Sequence, residues 1–461
     1  MILNWVSPLP PARTDIANYT MRVLPALQKR AAVRLWTDQT EWDPAIERIA
    51  PVYSFARDRF DEETFAQAHV SLYHIGNNRL FHGGIWALAR RAPGIVVLHD
   101  TRLLQFAAGV LLEQRRDRAT FNALLARWYG DEGRAAAARF ASGETTIDAA
   151  VEDFPLARAV ADDAIGLVLH APAPPELDDL PRVELGLPFD APRAPITQSG
   201  PVETLRLVQF GFIGGNRRLA QVLEALSGFE HRARIAFDIY GPVDDEASLR
   251  ASIVRSGLEA QVKLHGFVPE ATLGAALDDA DFVVNLRYPS MGEASASQLR
   301  IWAHARPSFV SDVAWYAAQP DETVIKIAPG EEVARIRATL AAYLEDPAPF
   351  RALGAAGHAH LTAAHGSELY AVQLMEFLQT LPTLRRLAVV RRAALIAGSE
   401  MQVWLKRPPQ PLLTQPVVSR LHDLWGDGAA SIAQAPPPAR FKHPAFSPAK
   451  RLVRRILSAL R

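Results

Sequence analysis

The chain has no cysteine among its 461 residues. This excludes disulfides, thiolate metal sites and a cysteine nucleophile together, and it is compatible with a reducing compartment. No run approaches the roughly 18 consecutive apolar residues of a membrane-spanning helix. The opening Met-Ile-Leu-Asn-Trp-Val-Ser-Pro places no basic stretch ahead of an apolar run, so no secretory signal is expected. Net charge is also missing, with 50 Lys and Arg against 50 Asp and Glu, but the balance is uneven along the chain. Residues 385–461 hold 14 basic and 3 acidic side chains, leaving 36 basic and 47 acidic in the rest. Such a basic tail either faces something anionic or folds back onto the acidic body. Within the body no basic patch points to nucleic acid, and the tail lacks the interleaved aromatics of a single-strand binder.

What is present is ordinary for large globular domains, with 49% apolar and 22% charged residues. The length suffices for two domains plus extras. Apolar, strand-like runs at 2–6, 31–36, 70–75, 94–99 and 164–170 alternate with helical patterns, the first helix spanning about 16–29. That alternation predicts a parallel sheet covered on both faces. Residues 171–201 carry eight prolines and place an interdomain linker at 186–202. The alternation then restarts, with strands at 205–210, 235–240, 262–265, 282–286, 308–311 and 324–327. Helices are expected at 216–226, 246–256, 269–277 and 294–305, and longer ones from 330 to about 380. The expected organisation is therefore α/β: a doubly wound domain over 1–185, a second over 203–380, and a basic Pro-rich tail over 381–461. Apolar residues at 449, 452, 453, 456, 457 and 460 share one helical face, and Lys450, Arg451, Arg454, Arg455 and Arg461 fill the remainder. This is the pattern of a helix lying on an anionic membrane surface, and a surface helix docked on the second domain is the alternative.

In doubly wound sheets ligands sit where strands turn into helices, and two such turns carry candidate chemistry. Phe210-Gly-Phe-Ile-Gly-Gly-Asn-Arg-Arg218 places Gly211 and Gly214 in a turn with Arg217 and Arg218 at the helix start. Free N–H groups and guanidinium donors attract phosphate there, although glycines at strand ends are commonly just turns. Asn285-Leu-Arg-Tyr-Pro-Ser-Met-Gly-Glu-Ala-Ser-Ala-Ser297 places Arg287 and Glu293 in a loop before Ala294, Ser295, Ala296 and Ser297. Glu293 reads either as an acceptor for sugar hydroxyls or as a helix-capping carboxylate. His74, His82 and His170 are readable as metal ligands, but satisfied histidines at strand ends fit better.

Together with Leu264-His-Gly-Phe-Val-Pro-Glu270, these two segments resemble the second domain of family 4 retaining glycosyltransferases, specifically a bacterial subgroup of polysaccharide-building enzymes. In the first domain Trp5-Val-Ser-Pro-Leu-Pro-Pro11, Ile16-Ala-Asn-Tyr19, Tyr73-His-Ile-Gly-Asn77, His82 and Val97-Leu-His-Asp100 are similar to the subgroup's strand ends. The resemblance covers about residues 2–380. It implies the GT-B fold, in which two Rossmann-like domains face each other across a cleft. It further implies a nucleotide-diphosphate sugar donor on the second domain and a glycan or lipid-linked acceptor entering through the first. The diphosphate would lie near Arg217 and residues 293–297, with the base beside Gly266, Phe267 and Val268. Glu293, His99 and Asp100 would serve the reaction, and Asp15, Tyr19 and Asn77 would lie on the acceptor side. No cofactor or metal is expected, because no aspartate-metal motif is evident and positive charge would stabilise the leaving group. The implied setting is cytoplasmic, with a peripheral membrane contact through 447–461.

The chain departs from that pattern at several positions. Arg217 stands where the family usually has lysine, Phe212 where it often has arginine, and Ile301 where the second glutamate would fall. Asp15 replaces a glycine, and Ala314 and Ala318 replace glycine and glutamate. These changes keep open a catalytically impaired scaffold with the same fold, beside a sugar-nucleotide epimerase or hydrolase. For the tail, deleting residues 447–461 is expected to reduce co-sedimentation with anionic liposomes; unchanged binding would remove the membrane assignment.

Overall fold

The computed structural model describes residues 1–56, 60–191, 194–196 and 202–405, with side chains in the last helix described to residue 395. The first sheet is built from β1 (Ile2–Val6), β2 (Ala32–Thr37), β3 (Val52–Ser54), β4 (Val70–Ile75), β5 (Ile95–Leu98), β6 (Gly166–Leu169) and β7 (Arg182–Glu184). The second uses β8 (Leu205–Phe210), β9 (Ile235–Tyr240), β10 (Val262–Gly266), β11 (Phe282–Asn285), β12 (Ser308–Ser311) and β13 (Ile325–Ile327). Their orders are β3-β2-β1-β4-β5-β6-β7 and β10-β9-β8-β11-β12-β13. The ladders are parallel; Val6, for example, lies between Trp36 and Tyr73. The fold class expected from the sequence, two doubly wound Rossmann-like domains, is the one found.

The apolar runs form strands because both sheet faces are covered. In β5 and β11 every residue is buried. Leu205, Leu207, Phe237, Ile239, Phe282, Val284 and Phe309 make the centre of the second core. Each such side chain contributes about 1.5–3 kcal/mol on full burial. The edge strands β3 and β7 have three residues each, too short to leave an apolar run in the sequence.

Both sheets repeat one winding. The order runs outward in one direction from β1 and β8 and in the other from β4 and β11. The crevices therefore open beyond the carboxyl ends of these strand pairs. The loops at 7–14, 76–78, 211–216 and 286–295 meet there.

The linker read at 186–202 begins as a packed crossing. Phe189 N–H donates to the His365 carbonyl at 2.7 Å, and His365 Nδ1 lies 2.9 Å from the Leu187 carbonyl. Asp190 accepts from Ser367 N–H at 3.0 Å and from its hydroxyl. The chain thus crosses back at 365–367, ahead of the boundary at 380 drawn from the sequence. The start of the next helix, Ser367–Gln379, then serves the first domain. Glu368 pairs with Lys29 and Arg30, and the Tyr19 and Tyr370 hydroxyls are 2.5 Å apart.

The chain forms two compact units, residues 1–163 with 167–374, and residues 164–166 with 375–461. In the second, the helix Leu381–Leu405 occupies the start of the region read as a Pro-rich tail, and the Arg391 guanidinium donates to the Ala164 carbonyl. The proline clusters at 406–411 and 436–438 and the basic helix at 447–461 lie outside the described residues. Among those described, no helix is long and apolar enough to cross a membrane.

Trp302 tests the second core. It is fully buried, its Nε1 donates to the Thr323 carbonyl at 3.0 Å, and its ring packs 6.0 Å from Trp315. Trp302→Ala is expected to cost about 3–5 kcal/mol in denaturant unfolding; a loss below 1 kcal/mol would contradict this packing.

Candidate active site

A cavity of about 270 Å³ opens where the two switch points face each other. Thr14, Asp15, Ile16, Tyr19, Arg22, His99, Asp100, His170 and Leu187 form one wall, and Arg287 with residues 293–297 forms the other.

The second-domain wall is a helix start. Ser295 caps the helix Ala296–Ala303 by accepting from Gln298 N–H at 3.1 Å. Asn285, at the end of β11, donates to Gln298 at 3.0 Å and fixes the cap from below. The first helical N–H groups are thereby presented to the cavity, a favourable place for an anion. Glu293 lies just before them, paired with Arg287; its other oxygen accepts from Met291 N–H at 2.8 Å and Ser290 Oγ at 3.1 Å. Burial opposes the Glu293 charge, but Arg287 and the hydrogen bonds prevail and hold its carboxyl below the usual range. Glu293 therefore shapes the loop as well as lining the cavity.

The first-domain wall is aromatic. Tyr19, His99 and His170 lie with ring centroids 4.8–5.3 Å apart, backed by His74, Trp5 and Tyr370. His74 Nδ1 and His99 Nε2 share a hydrogen bond of 3.1 Å. Burial first, and the neighbouring imidazoles second, depress the His99 pKa well below its ordinary value. Burial likewise lowers His170 to about 4, against the Leu185 carbonyl contact to its Nδ1 at 3.1 Å. That contact places the His170 proton on Nδ1 and leaves Nε2, which has no partner among the described residues, as an acceptor. Asp100 accepts from Asn77 N–H at 2.7 Å. Burial, then Glu293 across the cleft, pushes its carboxyl up to about 7.

The two walls are joined by main chain. Thr101 and Arg102 N–H both donate to the Met291 carbonyl, at 3.2 and 3.0 Å, and Thr101 Oγ1 donates to the Gly292 carbonyl at 3.2 Å. The Arg102 guanidinium reaches the Ser290 carbonyl. Gly292 has φ of 72°, and a Cβ there would collide with Thr101 Oγ1.

Of the residues singled out in the sequence, Asp15, Tyr19, His99, Asp100, Arg287 and 293–297 share the cavity. Asn77 stays outside it and holds Asp100, its amide also binding Gln105 at 2.7 Å. Arg217 is 4% exposed beneath the wall, donating to Phe212 and Asn285 at 3.0 and 3.3 Å. Burial, then Arg287, lowers its pKa to about 10. Arg218 pairs with buried Glu332 at 2.7 Å. Gly211 ends β8 at φ of 98°, and Gly214 accepts from Arg217 N–H at 3.0 Å. Gly266 ends β10, Phe267 and Val268 follow it, and none of the three lines the cavity; Phe267 is 90% exposed. Five cavity residues, Thr14, Ile16, Arg22, His170 and Leu187, were not proposed as site residues from the sequence. Arg22 falls seven residues after Asp15 and three after Tyr19, on the same helical face, and that spacing was the available signal. His170 was read as a satisfied strand-end histidine, with metal ligation as the alternative.

Among the described residues no cluster of three His, Cys, Asp or Glu could hold a metal. Asp100 offers a pH test. Its folded pKa lies above the ordinary carboxylate value, so its burial destabilises the protein fully above pH 7 and not at all below about pH 4. Asp100→Asn is expected to raise the thermal midpoint at pH 8, with the gain shrinking steadily toward pH 4. A gain independent of pH would contradict the assignment.

No family model matches the chain, and no curated protein matches its sequence. Solved structures do. HepE of Anabaena, solved with UDP, has a TM-score of 0.54 at 15% identity, covering 82% of this chain and 99% of that one. The same protein with UDP and glucose gives 0.55 at 14% identity, over 82% and 100%. Sucrose-phosphate synthase of Thermosynechococcus elongatus gives 0.56 at 14% identity, over 83% and 99%. The chain therefore has the GT-B architecture, two Rossmann-like domains around a cleft.

Proposed function

We propose that this protein is a glycosyltransferase that takes a sugar from a nucleotide-diphosphate donor, with retention, and passes it to a glycan or lipid-linked acceptor in bacterial surface polysaccharide synthesis. The observation that carries this reading is the cavity at the facing switch points, where a helix start from one domain meets His99 and Asp100 from the other. The complexes of HepE with UDP and with UDP-glucose support a nucleotide sugar as the ligand class.

In this reading the donor diphosphate lies at residues 294–297, where N–H groups and the helix dipole offset its charge without a metal. The sugar lies between that wall and His99. A neutral imidazole and a carboxyl titrating near 7 are suited to hydroxyl groups, which donate and accept, rather than to ions. Glu293 contacts the sugar through an edge of a carboxylate already fixed by Arg287. The bond from the anomeric carbon to the diphosphate breaks, the acceptor hydroxyl oxygen attacks from the same face, its O–H bond breaks with the proton passing to the departing phosphate oxygen, and a nucleoside diphosphate leaves. The site would act in the cytoplasm, with a peripheral membrane contact through 447–461.

One observation favours a second reading, a binding subunit without catalysis: both oxygens of Glu293 are occupied within its own loop. A panel of nucleotide sugars separates the two. Release of nucleoside diphosphate from at least one donor is expected, and His99→Ala should lower kcat about 100-fold or more while nucleoside diphosphate affinity changes less than threefold. Tight nucleotide binding with no turnover of any donor would favour the binding subunit.

A further inference from the structure

The cavity contains a cation with no hydrogen-bond or ion-pair partner among the described residues. The arginines near the second-domain wall are committed: Arg217 to Phe212 and Asn285, Arg218 to Glu332, Arg287 to Glu293, and Arg300 to Glu270 at 3.1 Å. Phe212 is 60% exposed and brings no charge. Arg22 differs from all of these. It projects from the helix Asp15–Gln28 into the cavity, with its guanidinium 4.9 Å from the centroid of the Phe189 ring. Among the described residues it makes no hydrogen bond or ion pair.

Its surroundings leave it under-compensated. Burial lowers its proton affinity most; Asp15, Asp190 and Glu270 oppose this, while Arg300 approaches from the other domain with like charge. A guanidinium has five N–H donors in a planar fork that matches phosphate oxygens. The Phe189 ring offers no lone pair to that fork, so its donors stay available to a ligand. The cavity holds it opposite residues 294–297, whose N–H groups attract the same kind of ligand.

We propose that Arg22 is a phosphate-binding residue of this cleft, gripping an anion lodged between the first domain and residues 294–297. This rests on the transferase reading above. The phosphate belongs either to the donor diphosphate or to a phosphorylated acceptor; the chemistry is shared and the experiment separates them.

Calorimetry on the full chain, wild type beside Arg22→Gln and Arg22→Lys, uses UDP, ADP, GDP and inorganic phosphate as probes. Arg22 makes no hydrogen bond or ion pair among the described residues and touches Phe189 only through its ring, so both variants are expected to keep the wild-type thermal midpoint within a few degrees. If the donor is the source, the best-bound nucleotide weakens tenfold or more in Arg22→Gln and no more than threefold in Arg22→Lys. If the acceptor is the source, nucleotide affinity stays unchanged while inorganic phosphate binding is lost in Arg22→Gln. Wild-type affinity for both probes in Arg22→Gln overturns the proposal. If the wild type binds no nucleotide, the transferase reading fails, and the phosphate arm alone then decides Arg22: loss in Arg22→Gln sustains the residue's role, and no phosphate binding by wild type ends it.

Discussion

Two main-chain N–H groups of the first domain, from Thr101 and Arg102, converge on one carbonyl of the second, that of Met291. Each sheet brings half a site to its own switch point, and neither half encloses anything alone. The shared carbonyl, reinforced by Thr101 Oγ1 on Gly292 and the Arg102 guanidinium on Ser290, fixes the height at which the halves meet. Backbone groups buried between domains need partners, so this joint also satisfies donors that closure would otherwise strand. The position of Glu293 follows from it. Residue 293 directly follows the joined segment, and Arg287, Ser290 and Met291 N–H clamp its carboxylate before any ligand arrives.

The first-domain wall obeys a different constraint. Three imidazoles lie close together among Trp5, Tyr19 and Tyr370. Charging one would oppose burial and its neighbours alike, so the set stays neutral and works through lone pairs and N–H groups. Apart from Asp100, charge is therefore confined to the rim and the opposite wall, where Asp15, Arg22, Arg287 and Glu293 sit. A ligand with a charged end and a hydroxylated end has only one sensible orientation in such a space.

Much of this was legible in the sequence, for identifiable reasons. Inner strands such as 282–286 and 94–99 are buried on both faces and read as apolar runs. The turns at 211–216 and 286–295 carry glycine and helix-start residues that mark strand–helix junctions. The three-residue edge strands β3 and β7 left no run, and the return crossing at 365–367 left none either, because it depends on His365 meeting Leu187 and Asp190 meeting Ser367 across separations of 178 and 177 residues. Arginine identity was a poor guide to role. Arg217 and Arg218 stand at a helix start in the sequence, yet Asn285 and buried Glu332 claim their side chains. Arg22 sits two turns into an amphipathic helix, where only its phase with Asp15 and Tyr19 marks it.

Gly292 carries one more consequence. It sits at φ of 72° with Thr101 Oγ1 in the space a β-carbon would fill. The aperture of the cleft is set by an absent atom. Any side chain at 292 would act as a shim, propping the walls apart by its own thickness and leaving the Met291 carbonyl short of its two donors. The clearance available to a ligand is thus governed by a residue with no side chain and no chemistry of its own.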